Sequence, residues 1–260
     1  MEGTKPGRAA REKKAYDEDD VWSHSHRWHR RFWHVFESPN TLRHESVFDS
    51  LVTQAILGKK ALEIGCGSGV FCRKLFDAGA SYVLGVDVSE VFVREAQKHA
   101  VPRRVEFKVL DVEQPMRGGR YHLIFGRSIL HHIDYRSVLT RLYRENLFPS
   151  GAMVFMEPLG SNPILQVYWK LARRAHTADE RPFYRHDLNW LRATFPMIEL
   201  FPFNFLSFPA GVLSSVFLKR PDNHFLKLCD AIDTWLARRI SFLHPMFRHS
   251  IIVIRKPSTV

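Results

Sequence analysis

Five short runs rich in β-branched and apolar residues alternate in this chain with segments whose apolar positions recur at helical spacing. The runs are KALEIG from Lys60, YVLGVD from Tyr82, VEFKVL from Val105, YHLIFG from Tyr121 and AMVFME from Ala152. Between them lie GVFCRKLFDAG, SEVFVREAQKHA and DYRSVLTRLYRENLF. Strands too apolar to expose a face, separated by helices, satisfy their hydrogen bonds and bury both surfaces only as a parallel sheet covered on each side. The pattern predicts a doubly wound α/β core over residues 42 to about 157.

The flanks are read from the same periodicities. Val47, Leu51 and Ala55 mark an amphipathic helix from Leu42 to Leu57, ended by Gly58. The polar, charged first 20 residues are expected to be a loose arm. Trp22, Trp28, Phe32, Trp33 and Phe36 then mark a helix that packs on the core or closes over a ligand. After the fifth strand come helices from Pro163 to about Arg174 and from Asp187 to Phe195, placed to cap the carboxyl ends of the strands. A sixth strand is expected within 197–208, a helix over 223–239 and a seventh strand in HSIIVIRK at 249–256. This predicts an N-terminal arm and lid helix over 1–40 and one domain over 41–260, with cap insertions at about 159–194 and 211–245.

In LEIGCGSG, the first strand runs into Gly65, Gly67 and Gly69 and a helix follows. Glycine admits positive φ and lets a ligand approach the backbone, and strand, glycine turn and helix together build nucleotide sites in open α/β sheets. The phosphate-binding alternatives fail on spacing: no Lys-Ser/Thr follows the last glycine, as a P-loop requires, and Val70 stands where a dinucleotide loop needs its third small residue. A nucleoside ligand without a pyrophosphate fits. Asp87, ending the second strand, is placed to accept hydrogen bonds from ribose hydroxyls. Asp111, ending the third, is placed with the Val112 amide to read an adenine edge, or else to cap the turn that follows.

With these companions in order, the chain resembles the class I S-adenosylmethionine-dependent methyltransferase family. LEIGCGSG is similar to its first motif, LGVDVSEVFVREAQ to its second, VLDVEQP to its adenine-binding turn, IFGRSILHHI to the segment after strand four, and RENLFPSGAMVFMEP to the helix, turn and strand after that. The resemblance implies a Rossmann-like seven-stranded sheet, mostly parallel with an antiparallel last strand, with helices on both faces and helical cap insertions. It implies S-adenosylmethionine as cofactor, held by Glu63, Gly65, Cys66, Gly67 and Gly69 from the first motif, Asp87 and Val88 from the second, Asp111 and Val112 from the third, and Arg127. His122 departs from the family by standing where an aspartate often starts strand four.

Methyl transfer asks the protein mainly to align an acceptor and, for a hydroxyl, to remove its proton. His131 and His132, after the fourth strand, are the candidate bases, and Glu157, ending the fifth, is a candidate to orient the acceptor or to pair with Arg127 or Arg185. Asp134 reads as the N-cap of the next helix. Tyr168, Tyr184, Arg185 and His186 in the cap are candidate substrate contacts. The small-molecule substrate is expected to be hydrophobic or aromatic, with O-methylation slightly favoured; the alternatives are a nucleic-acid or protein methyltransferase using the basic surface and a non-catalytic cofactor-binding scaffold. His24, His26 and His29 have no carboxylate at ligand spacing, so no metal is expected.

The formal charge of +11 is spread out and broken by acidic residues, as in RAAREKKAYDEDD; no nucleic-acid partner is expected. The apolar stretch from Phe195 to Leu218 contains Pro196, Pro202, Pro209 and Glu199, so no transmembrane helix is expected, and peripheral membrane contact stays open. No apolar signal segment is read at the start of the sequence, and its three cysteines suggest no disulfide framework; a cytoplasmic location is the expectation. Nothing in the sequence sets the oligomeric state.

Overall fold

Ala61, Leu62, Glu63 and Ile64 of strand β1 (Lys60–Ile64) are all buried, as a strand covered on both faces demands. The computed structural model describes residues 7–18, 20–54, 56–116, 119–172 and 176–258, with the backbone alone for 20–24; the statements below concern these residues. Ahead of β1 lie helices α1 (Arg8–Asp17), α2 (Asp20–Arg31), α3 (Trp33–Glu37) and α4 (Pro39–Thr53). After it come α5 (Val70–Asp77), β2 (Tyr82–Asp87), α6 (Glu90–Ala96), β3 (Val105–Val109), β4 (Tyr121–Arg127), α7 (Tyr135–Arg141) and β5 (Leu147–Pro158). The chain continues through α8 (Pro163–Leu171), α9 (Arg185–Thr194), β6 (Ile198–Phe203), α10 (Ser207–Phe217), α11 (His224–Arg239) and β7 (His249–Arg255).

The seven strands pair in the order β3-β2-β1-β4-β5-β7-β6. Strands β1 to β5 are mutually parallel, and β7 runs antiparallel to both β5 and β6. Alternate side chains divide the core. Leu62, Ile64, Leu84 and Phe155 pack with Val138 of α7 and Leu188 of α9; Ala61, Val83, Phe107 and Phe125 pack on the other face with Phe48 of α4, Leu75 of α5 and Val93 of α6. The chain winds one way from β1 through β3 and the other way from β4, which opens a crevice at the carboxyl ends of β1 and β4 where such sheets bind ligands.

Helix starts follow local chemistry. The Ser38 hydroxyl accepts the Thr41 N–H with Pro39 at the first position of α4, Ser89 accepts from Phe92 in α6, and Asn162 precedes Pro163 in α8. Asp134 caps α7, its carboxylate accepting from Ser137. Each pairing satisfies an amide with no partner inside the helix.

Several elements differ from the sequence reading. Residues 8–17 of the expected loose arm form α1. The aromatic helix that follows breaks at Phe32 into α2 and α3, and the side chains of Trp22 and His24 lie outside the described residues. Helix α4 starts at Pro39 and ends at Thr53, ahead of Gly58. Helix α8 ends at Leu171, and residues 173–175, where its sequence-predicted end falls, lie outside the described residues. The sixth strand expected within 197–208 is β6, and the end of that apolar stretch enters the first turn of α10. There the Asp233 carboxylate, in α11, accepts the N–H groups of Phe205, Leu206 and Ser207 and nucleates the helix. Among the described residues no helix is long and apolar enough to cross a membrane. His122, the departure at strand four, accepts the Lys60 N–H through Nδ1 at 3.2 Å and so joins the starts of β4 and β1.

Candidate active site

The turn after β1 takes left-handed backbone at Gly65, Gly67 and Gly69, with φ of 68°, 49° and 76°. Two of these glycines differ in why they are glycine. A Cβ on Gly69 would lie 2.7 Å from Phe107 and from Ala96, so this residue lets α5 pack on β3; a Cβ on Gly67 would meet nothing within 4 Å. Gly67 therefore leaves bare backbone facing open space. Its N–H donates to Asp87 Oδ2 at 3.0 Å, and the Ser89 N–H donates to Oδ1 at 3.0 Å. Asp87 lines a cavity, and a carboxylate oxygen can accept more than one hydrogen bond. Burial raises the Asp87 pKa and the backbone N–H groups oppose that rise.

That cavity, of about 760 Å³, runs along the carboxyl ends of the strands. Glu63, Gly65, Cys66, Gly67, Asp87 and Val88 line it, as do Asp111, Val112, Arg127, His131 and His132. Asp111 accepts the Glu113 N–H through Oδ1 at 2.8 Å. The Val112 carbonyl accepts from Arg141, whereas its N–H donates to no acceptor among the described residues. Glu63 accepts the Cys72 thiol proton at 2.9 Å, and burial pushes its carboxyl up to about 8. Arg127 pairs with Glu45 and lies over the rings of Phe48 and Phe71, at 5.4 and 5.9 Å.

The two histidines after β4 sit in different settings. His131 is clamped between carboxylates, with Nδ1 2.7 Å from Glu157 and Nε2 3.3 Å from Glu180. Burial pulls its pKa down, but the two carboxylates outweigh it and push the imidazole up to about 9. His131 is thus a cation at neutral pH, with both nitrogens donating. Glu157 Oε1 also accepts the N–H groups of Ile129 and Leu130, at 3.0 and 2.9 Å, and so fixes the turn that carries both histidines. His132 Nδ1 lies 3.1 Å from Glu12 Oε2 and its Nε2 lies 3.2 Å from the Tyr16 hydroxyl. A carboxylate at Nδ1 assigns the proton there and leaves Nε2 the acceptor of the tyrosine O–H. Burial raises the Tyr16 pKa far above its ordinary value, so the side chain stays a phenol.

Helix α1 supplies both partners of His132. It is held over the crevice by a forked pair from Arg11 to Asp179, at 2.7 Å in each arm, by Lys13 to Glu90, and by Ser89 to Asp17. Thr177 donates to the other oxygen of Glu12 at 2.6 Å. The cap thus reaches the site through 177–180, where Glu180 also accepts from His176 Nδ1 at 2.8 Å.

Not every residue singled out in the sequence reaches the cavity. Gly69 and Glu157 stand behind it, and Glu157 pairs with His131 rather than with Arg127 or Arg185. Of the four cap candidates Tyr168 lines it, while Tyr184, Arg185 and His186 do not. Glu12, Tyr16, Glu180 and Arg248 line it without having been anticipated. Glu12 and Tyr16 carried a signal, four residues apart on one helical face; Glu180, in a polar connector, carried none. His131, His132 and Glu180 offer ligand atoms within 4.8 Å of one another. In the present arrangement both His131 nitrogens face carboxylates, Nδ1 at Glu157 and Nε2 at Glu180.

Residues 61–151 match the family described as "Methyltransferase domain". Over 114 residues the chain is 29% identical to a ubiquinone biosynthesis O-methyltransferase of Acinetobacter baylyi, an alignment covering 42% of this chain and 47% of that one. The chain spans about half the length of the curated relatives it matches. Among solved structures it is similar to phosphoethanolamine N-methyltransferase 2 of Haemonchus contortus in complex with phosphomonomethylethanolamine and S-adenosylhomocysteine, with a TM-score of 0.57 at 18% identity over 86% of this chain and 56% of that one. It is also similar to magnesium protoporphyrin IX methyltransferase of Synechocystis with bound S-adenosylhomocysteine, with a TM-score of 0.55 at 16% identity over 94% of this chain and 99% of that one.

Proposed function

We propose that this chain, which has the class I methyltransferase fold and carries a methyltransferase domain over residues 61–151, methylates a hydroxyl on a small, hydrophobic or aromatic molecule. The observation that carries the reading is a single cavity with the glycine turn and Asp87 lining one part and the Glu12–His132–Tyr16 chain lining another. The donor set suits a nucleoside: bare backbone at Gly67, the Asp87 carboxylate for ribose hydroxyls, and the unpaired Val112 N–H beside Asp111 for an adenine edge. S-adenosylmethionine, when bound, supplies the electrophilic methyl group.

The protein's own residues do the rest. Glu12 holds the His132 proton on Nδ1, so Nε2 is the base, and the proton of the acceptor hydroxyl passes through the Tyr16 hydroxyl to it. His131, already protonated, positions the turn by holding Glu157 and Glu180. Helices α1 to α3 act as a lid, with the boundary to the catalytic domain near residue 40, and exclude water from the crevice. The curated O-methyltransferase relatives support a hydroxyl acceptor. Three free, buried thiols, Cys66, Cys72 and Cys229, suit a reducing cytoplasm.

Calorimetry with S-adenosylhomocysteine tests the cofactor half. Wild type is expected to bind and Asp87→Ala to bind at least about tenfold more weakly; equal binding by the variant removes the ribose assignment. For the acceptor half, product mass is measured on a panel of phenols and catechols. His132→Ala should lose about 10²- to 10⁴-fold in turnover with cofactor affinity intact. Binding of the cofactor without turnover on any phenol would refute the catalytic claim.

A further inference from the structure

Beyond the histidines the cavity is lined by Phe36, Leu165, Tyr168, Trp169, Arg248 and His249. Arg248 immediately precedes β7. Its N–H donates to the Asn204 carbonyl at 3.0 Å and its own carbonyl accepts from Leu159 at 2.8 Å, so its backbone is fixed between the ends of β6 and β5. The guanidinium stacks over Phe36 and Phe208, 4.8 and 5.6 Å from the ring centres. Other arginines of this chain have carboxylates: Arg127 has Glu45, Arg181 has Asp187 and Arg43 has Asp230. For Arg248, among the described residues, there is no ion pair and no hydrogen-bond acceptor at the guanidinium.

Burial pulls the Arg248 pKa down to about 10, against the opposing charge effects of Tyr168 and Glu45, so at neutral pH the group remains a cation. Its neighbours do not neutralise it. Burial holds His249 neutral, and the His249 Nδ1 atom has no partner among the described residues. Burial raises the Tyr168 phenol, which keeps its proton and has no acceptor among the described residues. A desolvated cation without a counter-ion is unfavourable, and a five-donor planar fork is shaped for oxyanions. The place also separates it from the cofactor region. In the sheet, β7 lies three strands from β1, which at about 4.8 Å per strand is roughly 14 Å, on the side away from Asp87.

We propose that Arg248 and the Tyr168 hydroxyl form a subsite for one anionic group of the acceptor, a carboxylate or a phosphate, while Phe36, Trp169 and Leu165 contact its apolar body. The acceptor is then amphipathic, with an acidic group at one end and the methylated atom toward His132. This refines the methyltransferase reading and rests on it.

The test is calorimetry on the full chain, with and without saturating S-adenosylhomocysteine, using benzoate, phenyl phosphate and the neutral benzamide as probes. At least one anion should bind saturably and benzamide about tenfold more weakly or not at all. Preference for benzoate assigns a carboxylate, and preference for phenyl phosphate a phosphate ester. Arg248→Met should lose about tenfold or more in anion affinity and Tyr168→Phe a smaller factor, with S-adenosylhomocysteine affinity unchanged. Arg248→Lys, which keeps the charge and loses the fork, should fall between wild type and Met, and it serves where the Met variant does not fold. Three results would each overturn the subsite: no anion bound by wild type, benzamide equal to benzoate, or a loss of S-adenosylhomocysteine affinity in Arg248→Met as large as the loss of anion affinity, which would hand the arginine to the cofactor. Failure of wild type to bind S-adenosylhomocysteine while anions still bind would instead defeat the methyltransferase reading, and with it the assignment of the anion to a methyl acceptor, leaving an anion site only.

Discussion

Asp87 and Gly67 share one hydrogen bond, and that bond shows why the glycine turn is glycine at all. The left-handed backbone at Gly67 aims its N–H at the carboxylate, and a side chain there meets no atom. Gly67→Ala should therefore cost only the backbone preference, about 1–2 kcal/mol. Gly69→Ala adds a Cβ 2.7 Å from Phe107 and Ala96 to the same backbone cost, and should destabilise the chain clearly more. Denaturant midpoints of the two variants measure the difference, and equal midpoints would contradict the packing role of Gly69. At this scale Asp87 and Asp111 were legible as cavity-lining residues, because strands ending at the crevice rim bring such side chains near it, whereas Glu157 at the end of the fifth strand turns to His131 instead. Arg248 was not: it precedes its strand, and only the sheet order places it against Phe36 of a helix some two hundred residues earlier.

Helix α1 is the element the sequence conceals. Its composition is that of a solvated segment, with Glu12 its one buried side chain. Such a helix has little apolar surface to drive its docking, and composition alone predicts disorder. Tertiary ion pairs order it, above all Arg11 with Asp179. Arg11→Ala should therefore loosen α1 and leave the core alone. Trypsin should cut at Lys13 and Lys14 faster and the KM for the acceptor should rise, with the melting temperature hardly changed. A large drop in melting temperature would instead make α1 part of the folding core. The strands and helices of the core were legible for the opposite reason: their apolar periodicity is the driving force itself. Within them, some boundaries are set by a distant partner, as when Asp233 of α11 collects the amides of 205–207 where α10 begins.

For the molecule as a whole, buried titrating groups set the response to pH. Glu63, pushed up to about 8, and His131, pushed up to about 9, both hold protons that the unfolded chain releases near about 4.3 and 6.5. A state that binds more protons loses stability as pH rises. Stability therefore falls through the Glu63 window up to about pH 8, and the His131 contribution, full below about 6.5, is lost as pH rises through about 9. Glu180, held well below its ordinary value by His131 and His176 against burial, acts in the opposite sense and loses its contribution as pH falls. Denaturant midpoints of wild type should decline from pH 7 to 9.5, and Glu63→Gln and His131→Asn should each flatten part of that decline. A wild-type profile level across this range would refute both assignments. The sequence by itself determined the sheet and the crevice at its carboxyl ends, because apolar period is a local property of the chain. Only the tertiary structure decided that His131 is clamped between two carboxylates while His132 meets Glu12 and Tyr16, that α1 docks on residues 177 and 179, and that Arg248 lines the cavity with no ion pair among the described residues. Each of these depends on charges and amides brought together from distant parts of the chain, and no local pattern records who a residue's partners will be.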